Sequence, residues 1–253
     1  MIQIANTIEQ IKSIRKAVLK DKSVGFIPTM GALHQGHAEL MRQARKENDF
    51  VIVSIFVNPT QFDNKEDLEK YPSTLEKDAQ LAEKERINCI WVPKYEQIYP
   101  DQYKYKIVEN ELSGMLCGAH RPRHFEGMMT VVMKLLNIIK PTRAYFGEKD
   151  FQQLTLVRGM VQAFFMDTQI VAVPTIREPT GLAMSSRNVR LTPQQKEIAP
   201  FLYKVLKGSN SDEEAREHLE KHGFKVDYVQ DLNGRRYAAA FLGNVRLIDN
   251  VKI

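Results

Sequence analysis

Along the first 174 residues, short apolar runs of strand length alternate with stretches in which apolar positions recur at helical spacing. That alternation is the pattern of beta-alpha units wound around a parallel sheet. Residues 24–28, 89–92, 144–146 and 170–173 read as strands, and residues 50–57, Phe-Val-Ile-Val-Ser-Ile-Phe-Val, form a nearly continuous apolar run. A run of that kind suits a strand covered on both faces, so it is expected at the centre of the sheet. Helices are expected behind Thr7 with Gln10 as a capping box, behind Ser73 with Glu76, and over 127–139 and 152–165. The fold class is therefore α/β: a Rossmann-like parallel-sheet domain over residues 1–174.

After Pro174 the pattern changes. Two helices are expected, over 193–206 behind Thr192 and over 212–221 behind Ser211, followed by short strands at 225–229, 237–241 and 245–248. Leu242-Gly243-Asn244 offers the turn chemistry for a closing hairpin. Residues 175–253 are thus expected to form a small α+β lid domain.

Composition narrows the class. A chain of 253 residues with 43% hydrophobic and 26% charged positions can bury a core and is far from the composition of a disordered chain. The net charge of +5 comes from basic residues scattered among 31 acidic ones, which reads as a solvated surface with a modest field favourable to polyphosphate. No basic stripe with interleaved aromatics points to nucleic acid. Cys89 and Cys117 lie outside any CxxC pair or metal-ligand spacing and read as structural thiols. The amino terminus has no secretory pattern, and the most apolar stretch, 128–139, is interrupted by Thr130, Lys134 and Asn137. A cytoplasmic enzyme without a membrane partner is expected.

Three segments carry candidate chemistry. Pro-Thr-Met-Gly-Ala-Leu-His-Gln-Gly-His at 28–37 lies between a strand and a helix, where open α/β sheets bind ligands. Gly31 and Gly36 would let free backbone amides approach an anion, and His34 and His37, three apart, can both donate to phosphoryl oxygens. Taken alone, two histidines near a helix start serve equally as caps or surface residues, and zinc lacks a plausibly spaced third ligand. Phe-Gly-Glu-Lys-Asp-Phe-Gln-Gln at 146–153 also follows a strand: Lys149 offers a point charge, Gly147 close approach, and Asp150 either a helix cap or a ribose contact. Gly-Leu-Ala-Met-Ser-Ser-Arg-Asn at 181–188 provides a compact donor cluster on a loop able to close over a triphosphate, although such a loop in isolation is a common turn.

The His-x-Gly-His tetrad resembles the nucleotide signature of the nucleotidylyl transferase superfamily. Joined in order with Ser-Ile-Phe-Val-Asn-Pro-Thr-Gln-Phe at 54–62, Tyr71-Pro72, the block beginning Arg-Pro-Arg-His-Phe-Glu-Gly at 121, Phe-Gly-Glu-Lys-Asp-Phe-Gln-Gln-Leu and Arg-Glu-Pro-Thr-Gly-Leu-Ala-Met-Ser-Ser-Arg-Asn at 177, it resembles the pantothenate synthetases, or pantoate:beta-alanine ligases. The resemblance implies ATP binding by Met30, Gly31, Ala32, Leu33, His34, Gln35, Gly36 and His37, completed by Gly147, Glu148, Lys149, Asp150, Ile176, Met184, Ser185, Ser186 and Arg187. It implies that Gln61 meets both pantoate and beta-alanine and that Gln153 binds pantoate. His37, His34 and Lys149 would be the catalytic group, with magnesium accompanying ATP and no protein metal site. It further implies a homodimer through the amino-terminal domain and a reaction through pantoyl adenylate. His37 reads as an electrostatic donor more than an obligatory acid. Arg121, Arg123 and His124 could serve phosphate, pantoate or a salt bridge at a domain or subunit boundary. Ile176 replaces a valine-like residue of the family, and residues 223–253 read as shorter than in typical members, so a trimmed lid that leaks adenylate is expected. Rival readings are a nucleotidylyl transferase that leaves its nucleotide attached and a synthetase fragment that binds transfer RNA.

Overall fold

The computed structural model describes residues 2–18 and 21–253. Six parallel strands, β1 (Gln3–Ala5), β2 (Val24–Thr29), β3 (Phe50–Ile55), β4 (Cys89–Trp91), β5 (Arg143–Gly147) and β6 (Gln169–Val173), form one sheet in the order β1-β4-β3-β2-β5-β6. The apolar run at 50–57 does become a central strand. β1 was not anticipated, because three residues are too few for a periodicity; it is held by parallel pairing with β4.

Helices α1 (Ile8–Ala17), α2 (Gln35–Glu47), α3 (Lys65–Glu69), α4 (Leu75–Lys84), α5 (Tyr95–Ile98), α6 (Cys117–His120), α7 (His124–Ile139) and α8 (Phe151–Ala163) complete the first part of the chain. The two faces of the sheet sort by strand alternation. Phe26 and Ile52 face Met128, Val132, Leu136 and Val157 of α7 and α8, whereas Ile27, Val51 and Val53 face Leu40, Met41 and Ala44 of α2 and Ala82 of α4. Thr7 and Gln10 form the expected capping box of α1. The cap expected at Ser73 falls one residue later: α4 follows Thr74, whose hydroxyl donates to Asp78 and accepts no bond from the helix amides.

The remainder has its own apolar cluster, including Leu182, Leu202, Leu206, Leu219, Phe224 and Leu247. The single helix expected over 193–206 is two, α9 (Pro193–Ile198) and α10 (Phe201–Gly208), because Pro200 has no N–H to continue the ladder. α11 (Asp212–Lys221) is capped by Ser211 as expected. β7 (Lys225–Leu232), β8 (Arg235–Leu242) and β9 (Val245–Lys252) form an antiparallel sheet in sequence order, each strand longer than expected. Asn233 and Gly234, with φ of 51° and 72°, make the two-residue turn between β7 and β8. Among the described residues no helix is long and apolar enough to cross a membrane.

One close approach links the packing to the cleft described next. The start of α7 lies against the short 3-10 turn Pro59–Gln61, and a Cβ on Gly127 would sit 2.3 Å from the Thr60 carbonyl oxygen and 2.7 Å from the Gln61 nitrogen. Gly127→Ala is expected to cost about 1–3 kcal/mol by overpacking against backbone, measured by urea unfolding; an unchanged midpoint would show that the turn yields freely.

Candidate active site

Following β2 the chain continues to β3 on one side and returns to β5 on the other, so the carboxyl ends of β2 and β5 open side by side into one crevice. A cleft of ≈ 830 Å³ lies there. Met30, His34, Gly36 and His37 reach it from β2, Gln61 from the turn after β3, Gly147, Lys149, Asp150 and Gln153 from β5, and Ile176, Met184, Ser185, Ser186 and Arg187 from the third segment. Gly31, Ala32, Leu33, Gln35 and Glu148 are not among its lining residues.

Five backbone amides of the first segment donate within the protein itself. Gly31 N–H donates to Thr29 Oγ1 at 3.2 Å, Ala32 and Leu33 N–H to Asp78 at 3.0 and 2.8 Å, His34 N–H to His37 Nδ1 at 3.2 Å, and Gly36 N–H to His34 Nδ1 at 3.1 Å. The expectation of free amides at Gly31 and Gly36 is therefore corrected. The two histidines cap α2 and line the cleft at once. Because each Nδ1 accepts, each neutral ring carries its proton on Nε2. Burial depresses His34 to about 4, reinforced by Lys149, and depresses His37 to about 3, reinforced by His34. At neutral pH the pair is neutral, with ring centroids 4.2 Å apart.

On the β5 side, a 3-10 turn Glu148–Asp150 leads into α8. Asp150 makes no side-chain capping bond and keeps 48% of its side chain exposed, with Lys149 Nζ 3.5 Å away. Burial opposes its charge, but Lys149 and Arg187 outweigh that effect and hold the carboxyl below its ordinary range. The turn is braced from β9, where Asn250 Nδ2 donates to the carbonyls of Glu148 and Lys149 at 3.0 and 2.8 Å. In the third segment Ser185 Oγ accepts from Arg187 N–H, while the Arg187 guanidinium donates to Asp67 at 2.9 Å beside Arg190 at 2.7 Å.

Gln61 is 8% exposed; its Nε2 donates to Met30 Sδ at 3.0 Å and its Oε1 accepts from Asn58 Nδ2 at 3.1 Å. Asn58, buried, also accepts from Tyr99 and Thr60 and donates to the Gly127 carbonyl. His124 donates from Nδ1 to the Gln61 carbonyl at 2.7 Å, and its Nε2 accepts from Arg121, which also pairs with Asp63. Burial together with Arg121 pushes His124 down to about 3. Arg121 and His124 thus brace the Gln61 turn from the cleft wall, and Arg123 is the left-handed residue before α7. Asn58, Asn250 and Asp78 were not read from the sequence, since each is fixed by at least one partner far along the chain. Gln152 and Gln153 divide: Gln152 ties down the backbone at Leu112, Met115 and Cys117, and Gln153 faces the cleft.

Strand order, a crevice at the switch point and two strand-end turns bearing neutral imidazoles and a lysine define a Rossmann-like nucleotide-binding enzyme. The sequence model of the pantoate-beta-alanine ligase family matches residues 3–252, and the chain belongs to that family. It is 55% identical over 253 residues to the pantothenate synthetase of Bdellovibrio bacteriovorus, with all of both chains covered, and 47% identical over 249 residues to that of Legionella pneumophila strain Corby, covering 98% of this chain and 99% of the relative. The pantoate-beta-alanine ligase of Francisella tularensis, solved with beta-gamma ATP and beta-alanine, superposes with a TM-score of 0.95 at 45% identity, covering 100% of this chain and 98% of that one. Pantothenate synthetase from Thermus thermophilus gives 0.89 at 38% identity, with 99% of each chain covered. The chain is an ATP-using ligase that joins pantoate to beta-alanine. Against these relatives it is not shortened: the carboxyl-terminal residues are used economically, in three strands of eight residues joined by two-residue turns. The expectation of a trimmed lid is withdrawn accordingly.

The histidines give the molecule an acid dependence with a definite sign. Unfolded, they titrate near 6.5; folded, His34 resists protonation to about 4 and His37 and His124 to about 3. Above 6.5 they contribute no pH dependence, and below it the unfolded chain binds protons that the native state refuses, so stability falls as pH drops from 6.5 towards 3. Nitrogen-detected NMR at about pH 6 is expected to show His34 and His37 neutral with the proton on Nε2; charged rings would contradict this.

Proposed function

We propose that the ligation runs through pantoyl adenylate, formed and consumed in this cleft. A pantoate carboxylate oxygen attacks the α-phosphorus of ATP, the bond to the bridging oxygen breaks, and pyrophosphate leaves with the electron pair. Beta-alanine, having shed a proton to become a free amine, then attacks the acyl carbon; AMP leaves, the nitrogen loses its second proton, and the amide remains. The observation supporting this most directly is the convergence of His34, His37, Lys149, Ser185, Ser186 and Arg187, from three separate segments, on one crevice. Phosphoryl transfer needs positioning and charge stabilisation above all. Nε2–H of His34 and His37 and Nζ of Lys149 supply donors to phosphoryl oxygens, and the residues Met184, Ser185, Ser186 and Arg187 close on the polyphosphate from the other side, with Ile176 and Gly147 beside the nucleotide.

Neutral imidazoles suit this task, since pyrophosphate leaves without needing their protons. The Gln61 and Gln153 amides suit pantoate for a related reason: an arginine there would pair with the attacking carboxylate and blunt it. The apolar wall of Phe56, Met128, Val131 and Val132 fits the branched body of pantoate. A beta-alanine contact at Gln61 belongs to the same reading, and the Francisella enzyme's complex with beta-gamma ATP and beta-alanine supports only that the substrate class fits this fold.

Among the described residues no group of three His, Cys, Asp or Glu side chains could hold a metal ion. Magnesium carried by the triphosphate keeps several waters and takes one or two carboxylates, and Asp150, in the cleft, would be the residue to hold it. When bound it would neutralise phosphate charge. Residues 175–253 act as the lid in this reading, which also includes a cytoplasmic setting and a homodimer through the amino-terminal domain.

Pyrophosphate exchange into ATP is expected to require pantoate but not beta-alanine. Lys149→Ala should lower that exchange by about two orders of magnitude, roughly 3 kcal/mol, with the fold intact. Near-normal exchange would remove Lys149 from the site. In single-turnover assays Gln61→Ala should impair both half-reactions and Gln153→Ala chiefly the pantoate step; a Gln61→Ala defect confined to beta-alanine use would refute the dual contact.

A further inference from the structure

Asp78, on α4, is 2% exposed and does not line the cleft. Its two oxygens accept three hydrogen bonds: Oδ2 from Ala32 N–H at 3.0 Å, and Oδ1 from Leu33 N–H at 2.8 Å and from Thr74 Oγ1 at 3.1 Å. The loop it holds has two consecutive residues in the left-handed region, Gly31 at φ 83° and Ala32 at φ 50°. A glycine adopts that conformation freely, but an alanine there is strained and must be held by its surroundings. The loop also wraps closely: a Cβ on Gly31 would lie 3.0 Å from Asp78 Oδ2.

Converging successive amides form a concavity that binds anions. In the first segment that concavity is filled by the protein's own carboxylate, so the amides of Ala32 and Leu33 are spent before a nucleotide arrives. The next residue is His34, whose backbone N–H fixes the His37 ring and whose own ring is fixed by Gly36. Displacing Leu33 therefore displaces both imidazoles. We infer that Asp78 is a positioning residue for the nucleotide step: an internal anion that locks the strained loop and thereby aims the Nε2–H groups of His34 and His37, without touching substrate. This rests on the reading that those two histidines face ATP.

The test measures pantoate-dependent exchange of pyrophosphate into ATP in the full chain for wild type, Asp78→Asn, Asp78→Asn with Ala32→Gly, and His37→Ala. Asn keeps the shape but turns an amide donor towards backbone donors. It is expected to raise KM for ATP about tenfold or more and to lower kcat, since a shift of an ångström in a catalytic group can cost about a hundredfold, while KM for pantoate stays within about twofold. Adding Ala32→Gly should recover much of the loss, because glycine holds the positive φ without help. A purely structural role predicts losses shared by ATP and pantoate and no recovery, and that result overturns the inference, as does wild-type behaviour of Asp78→Asn when His37→Ala is impaired. If His37→Ala itself behaves as wild type, the nucleotide reading fails and the inference with it. Should circular dichroism show Asp78→Asn unfolded, Thr74→Val, which removes one donor and leaves the carboxylate, decides: KM for ATP about two- to threefold higher supports the inference, and an unchanged value overturns it.

Discussion

The parallel pairing of β2 with β5 is the constraint on which the rest of the molecule depends. Gly25 and Phe26 lie beside Arg143 and Ala144, residues far apart in the chain, and that register sets the turns leaving both strands against the same space. An antiparallel pairing here would put the two turns at opposite ends of the sheet. Each turn is then fixed by a bond from elsewhere: Asp78 holds the one after β2, and Asn250 of β9 holds the one after β5. The antiparallel sheet thus covers the cleft and also positions part of its floor.

Electrostatics follows from this enclosure. Burial removes the charge from His34 and His37, while Lys149 and Arg187 keep Asp150 ionised at the open side. The cleft offers an incoming polyphosphate neutral donors in its depth and cations towards the mouth, where Asp67 balances Arg187 and Arg190. In the proposed reaction, deep neutral donors would stabilise charge developing on phosphoryl oxygens without competing for the pantoate carboxylate.

Much of this was legible in the sequence, and for identifiable reasons. The period-two and helical patterns placed five of the six parallel strands, and the apolar run at 50–57 announced a central one; β1, at three residues, carried no pattern. Pro200 and the pair Asn233-Gly234 carry local signals for a helix break and a tight hairpin, which the apolar periodicity alone does not convey. The segments at 28–37 and 146–153 were legible as lining one cleft because their residue types and their place between strand and helix coincide. Asn58, Asp78 and Asn250 were not, because a buried polar residue is defined by its partner: Asp78 meets Ala32 across 46 positions and Asn250 meets Lys149 across 101.

The central claim is that the cleft transfers the adenylyl group of ATP to pantoate before any amide forms. Its most direct test follows the oxygen. With both carboxylate oxygens of pantoate labelled with oxygen-18, mass spectrometry of the products should find one labelled oxygen in AMP and one in the amide carbonyl of pantothenate, since the atom that attacks phosphorus leaves with it. Label in phosphate or pyrophosphate, or none in AMP, would contradict the adenylate route and the site built on it.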